Sequence, residues 1–161
     1  MPSGSSKEER QAFKFDMMDR FEPVLQEMSE SGRQYVICGD WNIAHKKADI
    51  KNWRGNQKNS GFLPEERVWM DWLFGHAESE TDLPIKGNAG FVDAFRQVNQ
   101  QEEQFTWWSN RGQAWANNTG WRIDYQVITE NLKDKIVSGS ELIYKEERFS
   151  DHAPLVIEYN L

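Results

Sequence analysis

The apolar run Tyr35-Val36-Ile37-Cys38 stops abruptly at Gly39-Asp40-Trp41-Asn42, and no other junction restricts the fold of this chain as much. Four β-compatible residues in a row read as a short buried strand. Gly39 permits a sharp exit that leaves the Asp40 carboxylate at the strand end, where sites tend to form. Near the other end of the chain, Ser150-Asp151-His152 leads into an alternating run, Leu155, Ile157 and Tyr159 against Val156 and Glu158. A second strand is thus entered through an acid and an imidazole. Carboxylates, an amide and a histidine are the groups that phosphodiester hydrolysis requires. The carboxylates hold a hard divalent cation, a base activates water, and a donor meets the phosphate oxygens.

With 161 residues, 38% hydrophobic and 13% aromatic, the chain can bury one ordinary core, and a single domain over 1–161 is expected. The net charge of −7 provides no general pull toward nucleic acid, so a polyanion must be held by a local basic patch and a metal. One cysteine excludes an intrachain disulfide and suits a reducing compartment, which makes Cys38 a buried strand residue by expectation. No apolar run reaches membrane-spanning length and no basic-then-apolar leader is present, so the expectation is a soluble, cytoplasmic chain.

Ser3-Gly4-Ser5-Ser6 reads as a flexible start, followed by a helix with Glu8 and Glu9 in its first turn. Phe13, Met17, Phe21, Leu25 and Met28 recur at helical spacing and predict a packed face, and Pro23 predicts a kink or split. Ile43 to Gly61 has no sustained period and predicts a long surface loop. Pro64 opens a second amphipathic helix through Trp69, Trp72 and Leu73; Ala77 to Gly90 reads as an exposed loop. Phe91 to Phe95 is a short apolar turn of helix or strand. Strands are expected at 105–109, 121–129, 136–137 and 154–160. The whole predicts a mixed α+β fold with one core sheet and helices on one face.

Within the loop, Lys46, Lys47, Lys51, Arg54 and Lys58 stand against Asp49 alone, reversing the sign of the chain locally. Composition by itself assigns Trp107 and Trp108 to the core.

Gly39-Asp40-Trp41-Asn42, Trp121-Arg122-Ile123-Asp124-Tyr125 and Ser150-Asp151-His152, in that order, resemble the motifs of the endonuclease/exonuclease/phosphatase superfamily. The loop Asn52, Asn56, Asn59, Gly61, Phe62, Pro64, Glu66, Arg67 narrows the resemblance to the C-terminal half of exonuclease III-type apurinic/apyrimidinic endonucleases. The resemblance implies that Asp40 orients or deprotonates the attacking water and Asn42 helps hold water or phosphate. Asp124 fixes His152, which meets the scissile phosphate; Asp151 is a metal ligand, joined in that role by Asp40 and Asn42. Whether Asp40 or His152 is the general base stays open. His45 is given a supporting role near Asp40.

For the DNA, the resemblance implies backbone contacts from Asn52, Asn56, Asn59 and Lys58. Arg111 corresponds to a residue inserted into the minor groove, and Trp107, Trp121 and Ile123 to walls of a pocket for a flipped abasic sugar. The implied cofactor is Mg²⁺, with Mn²⁺ as an alternative, and the implied partner is double-stranded DNA with abasic sites or 3′ ends. The family fold is a four-layered α/β sandwich, of which this chain supplies one sheet with helices on its outer face. The family's first half, with a metal-ligand Glu and a catalytic Tyr, is absent, so this chain alone is expected to cut DNA weakly at most. An alternative is a non-catalytic DNA-binding or assembly fragment that pairs with another copy or a separate N-terminal half through the exposed sheet face. A further alternative is a phosphoesterase of the same superfamily acting on lipid or nucleotide phosphates.

Overall fold

A computed structural model describes residues 1–4 and 8–161. The proposed flexible stretch at Ser5 and Ser6 lies outside the described residues, whereas Gly4 is buried and lines a cavity wall with Ser3. Helix α1 spans Glu8–Glu30 without a break. Pro23 is exposed and does not split it; Met18 and Leu25 dock on the core on either side. The buried stripe is Lys14, Met18 and Leu25; Phe21 and Met28 pack partly against it, but Phe13 and Met17 are exposed, one helical step off the expected face.

Strands β1 (Val36–Asp40), β2 (Phe91–Asp93) and β5 (Asp124–Thr129) form an antiparallel sheet in the order β1-β5-β2. Two further ladders, β3 (Trp107–Trp108) with β4 (Gly120–Trp121) and β6 (Leu142–Ile143) with β7 (Leu155–Val156), replace the single sheet expected from sequence. The remaining helices are α2 (Trp53–Asn56), α3 (Pro64–Leu73) and α4 (Ala94–Val98). The expected strand at 136–137 is reduced to a bridge from Ile136 to Tyr159, and β6 had no signal of its own in the sequence.

Residues facing each other across antiparallel strands share a face of the sheet. Ile37 pairs with Val127 and Gly39 with Tyr125. This face packs beneath α1 and α3, against Met18, Leu25, Trp69, Met70 and Leu73. The opposite face carries Val36, Cys38 and Asp40 opposite Ile128, Gln126 and Asp124. Phe95, Phe105, Trp108, Leu132, Ile143 and Ile157 cover its Ile128 end. Edge strand β1 is left uncovered there, so Val36 and Cys38 are exposed rather than buried as expected.

Residues 43–61 are only in part a surface loop. Ile43, Ala44, His45, Asp49 and Ile50 are buried, Lys47–Asp49 form a 3-10 turn, and Asn52 to Asn59 stay near the surface. Burial of Asp49 is made tolerable by partners distant in sequence. Arg122 reaches it through Nε at 2.8 Å and Nη2 at 3.1 Å, and Arg96 through Nη2 at 2.6 Å. Arg122 also pairs with Asp93 at 2.7 Å. Burial works to raise the Asp49 carboxyl, but the two guanidiniums outweigh it and hold the group well below the usual range.

Candidate active site and nucleic-acid interface

At the end of β1, Gly39 adopts φ 153°, a conformation that favours glycine, and the chain turns so that Asn42 takes φ 52°. The turn closes on itself: Asp40 Oδ1 accepts from the Asn42 amide at 2.7 Å and Oδ2 from its side-chain Nδ2 at 2.8 Å. Asp40 and Asp124 are register partners, two carboxylates facing one another at the end of the sheet. Asp124 is set in place by Thr106, whose hydroxyl accepts from the amides of Ile123 and Asp124, each at 3.1 Å.

Strand β3 brings in the third motif. The Trp108 amide donates to the Asp151 carbonyl at 3.0 Å and the Ala153 amide to the Thr106 carbonyl at 2.7 Å, lacing residues 151–153 alongside β3. His152 thereby lies opposite Trp107, and its Nδ1 meets Asp124 Oδ2 at 2.8 Å. Burial favours the neutral imidazole, but the hydrogen bond and charge of Asp124 outweigh it, helped by Asp40 and Asp151, and raise the His152 pKa. Burial raises the Asp40 carboxyl; the Asn42 amide opposes this and the Asp124 charge adds to it. Asp151 Oδ2 accepts from Trp107 Nε1 at 3.0 Å, chiefly for which reason its carboxyl is lowered.

A cavity of about 870 Å³ opens beside these groups. Asn42 and His152 line it, with Trp107, Trp121 and Ile123 as apolar wall and Lys58, Asn59 and Arg111 at its polar edge. Trp107 and Trp121 meet edge to face, 6.2 Å between centroids. Gly61, at φ 91°, is required where it passes this wall: a Cβ there would sit 3.0 Å from the Trp121 ring and 3.1 Å from the Asn42 carbonyl.

Asn52 and Asn56 do not line the cavity; they brace the loop beside it, Asn56 Nδ2 donating to the Asn52 carbonyl at 3.0 Å and Asn59 Nδ2 to Asn56 Oδ1 at 2.8 Å. His45 departs from its expected place near Asp40. It is buried with Nε2 on Asp71 at 2.7 Å and lines a different cavity. Lys14, Gln11 and the indole donor of Trp107 escaped the sequence reading. For Lys14 a signal existed, a cation in step with Met18 and Leu25 on the buried stripe of α1.

For a divalent cation the oxygen donors of Asp40, Asn42 and Asp151 are of the right hardness. No group of three or more His, Cys, Asp or Glu in ligand geometry occurs among the described residues. Those donors suit a hard divalent cation held by few protein ligands rather than by a cage made wholly of protein. Among the described residues no helix is long and apolar enough to cross a membrane.

The sequence matches the Endonuclease/Exonuclease/phosphatase family over residues 8–152, and the chain belongs to that family. Within it, the likeness is to exonuclease III-type enzymes. An exodeoxyribonuclease of Bacillus subtilis (strain 168) is 38% identical over 127 residues, covering 78% of this chain and 44% of the relative. A DNA-(apurinic or apyrimidinic site) endonuclease of Dictyostelium discoideum is 32% identical over 142 residues, covering 88% and 35%. The chain thus spans less than half the length of these relatives. In fold it resembles an AP endonuclease from Archaeoglobus fulgidus, with a TM-score of 0.79 at 22% identity over 100% of this chain and 60% of that one. A Neisseria 3′ phosphatase bound to a product DNA hairpin gives 0.80 at 21%, over 99% and 57%.

Proposed function

We propose that this chain carries the DNA-facing, phosphate-attacking part of an exonuclease III-type AP endonuclease, corresponding to the C-terminal part of the family domain over 1–161. The observation that carries this reading is the pairing of Asp40 with Asp124 and of Asp124 with His152, which together with Asn42 lines a cavity walled by Trp107, Trp121 and Ile123. The substrate is duplex DNA, entered at abasic sites or 3′ ends. Asp40 or His152 takes the proton of the attacking water, and Asn42 orients it. His152, oriented and made more basic by Asp124, meets the scissile phosphate. Asp151, Asp40 and Asn42 would hold Mg²⁺ or Mn²⁺, which when bound neutralises charge on the phosphate. Lys58, Asn59 and Arg111 flank the cavity where the backbone of a duplex would run, with Asn52 and Asn56 bracing that loop. A wall of Trp107, Trp121 and Ile123 favours a baseless sugar over a full nucleotide. A cytoplasmic setting suits a DNA-repair hydrolase of this kind.

The test is incision of a labelled duplex bearing one abasic site, in Mg²⁺. The 161-residue chain binds this duplex in preference to an intact one and cuts it weakly at most. The first half of a relative, added in trans, raises incision, and Asp40→Ala removes it. Absence of any preference for the abasic duplex sinks the reading.

The second reading, an assembly fragment, is favoured by the exposure of Val36 at 41% on the uncovered side of the sheet and of Phe149 at 70% beside Cys38. In the half-sandwich reading this side receives the family's other β-layer at about 10 Å. A second copy of this chain is the alternative occupant.

A further inference from the structure

Lys14 breaks the apolar pattern of α1 at a buried position, where an aliphatic side chain would pack at no electrostatic cost. Its ammonium donates to Glu66 Oε1 at 2.5 Å and to the Asn42 carbonyl at 2.7 Å. Glu66 in turn accepts through Oε2 from the Gly61 amide at 2.6 Å and the Leu63 amide at 3.0 Å. Both side chains have no exposure. One ion pair therefore joins two walls of the cavity: the left-handed turn at Asn42, and the segment of Gly61 and Leu63 that follows Asn59. Burial lowers the Lys14 pKa, and Glu66 opposes it.

We propose that Lys14 and Glu66 are positioning residues for the nuclease site, holding the Asn42 amide and the Asn59 edge at the spacing that one DNA phosphodiester requires. This rests on the reading that the cavity receives DNA. Neither residue meets the DNA itself; each acts through the backbone it holds. Lys14 fixes the Asn42 turn, and Glu66 fixes the two amides and so the approach of Gly61 to that turn.

Removing Lys14 alone strands a buried carboxylate, so the test uses Lys14→Met/Glu66→Gln. The glutamine carbonyl can still accept from Gly61 and Leu63, the net charge is unchanged, and the link to Asn42 is cut. Two readouts are taken on the ¹⁵N-labelled 161-residue chain: the Asn42 and Asn59 resonances, and anisotropy titration with a duplex bearing a tetrahydrofuran abasic analogue. The double variant keeps the parent circular dichroism and Trp108 indole signal, shifts both asparagines, and binds the duplex about tenfold more weakly, the scale of one misplaced phosphate contact. Lys14→Arg, which retains donors for both acceptors, restores both readouts. Glu66→Ala alone is the second variant should the double one not fold: it removes the acceptor of the Gly61 and Leu63 amides and leaves Lys14 on the Asn42 carbonyl, so Asn59 shifts more than Asn42. A folded double variant with unmoved asparagine signals, or with parental duplex affinity, overturns the proposal; so does an unmoved Asn59 in Glu66→Ala. If the parent chain does not bind the duplex, the nuclease reading fails, and the clamp is decided by the resonances alone.

Discussion

Asp49→Asn is the perturbation whose cost follows most directly from the structure. The carboxylate is fully buried and accepts from Arg122 Nε and Nη2, from Arg96 Nε and Nη2, and from the Lys46 amide at 3.0 Å. Asparagine keeps the volume but removes the charge and offers one carbonyl in place of two carboxylate oxygens. Arg96 is partly exposed and can turn to water; Arg122 has no exposure and among the described residues keeps Asp93 alone as a carboxylate partner. Among the described residues its Nη1 is already buried without a hydrogen-bond partner. Breaking one side of a buried pair costs about 3–5 kcal/mol. At roughly 2–4 °C per kcal/mol for a chain of this size, Tm falls by about 6–20 °C. Differential scanning calorimetry at pH 7 measures this, with Asp16→Asn as control, since its pair with Arg20 is largely exposed and contributes little. Because the Arg122 amide also bonds the Asp49 carbonyl at 2.7 Å, the same variant loosens the segment that carries Trp121, Ile123 and Asp124. A Tm within about 2 °C of the parent would refute the view that this network holds the cavity wall.

Proton titration of His152 by NMR is expected to show a pKa above the ordinary value, falling in Asp124→Asn. The sign follows: the stability from this pair is complete below pH ~6.5 and is lost as pH rises through the raised folded value. Trp107→Phe removes the donor to Asp151; its carboxyl pKa rises in a ¹³C titration and stability drops by roughly 1 kcal/mol. Light scattering with a hydrophobic dye checks the uncovered side of the sheet. Association or dye binding is expected, and a monomer that does neither removes the assembly reading.

Much of the candidate site was legible because its residue types are concentrated in contiguous motifs at strand ends. Asp40 with Asn42, Asp124, and Asp151 with His152 each announce themselves by residue type beside a local apolar pattern. Helix α3 was equally plain, since Pro64 and the Trp69, Trp72 and Leu73 spacing are local signals. Periodicity, however, assumes that burial means apolar. It therefore misread residues 43–50, where Asp49 is buried because Arg122 neutralises it across 73 positions and His45 because Asp71 hydrogen-bonds it across 26. It chose Phe13 and Met17 for the packed face of α1, whereas the docked helix turns Lys14 inward to serve Asn42 and Glu66. Cys38 and Val36 look like core by sequence, yet β1 is an edge strand with one uncovered face. Sequence by itself determined which residues are candidates for the chemistry and where β1 must stop, because those depend on side-chain type and backbone freedom at single positions. The tertiary structure alone decided which charges are buried, which apolar groups are left in water and how the walls of the cavity are held, because these depend on pairings between residues far apart in the chain.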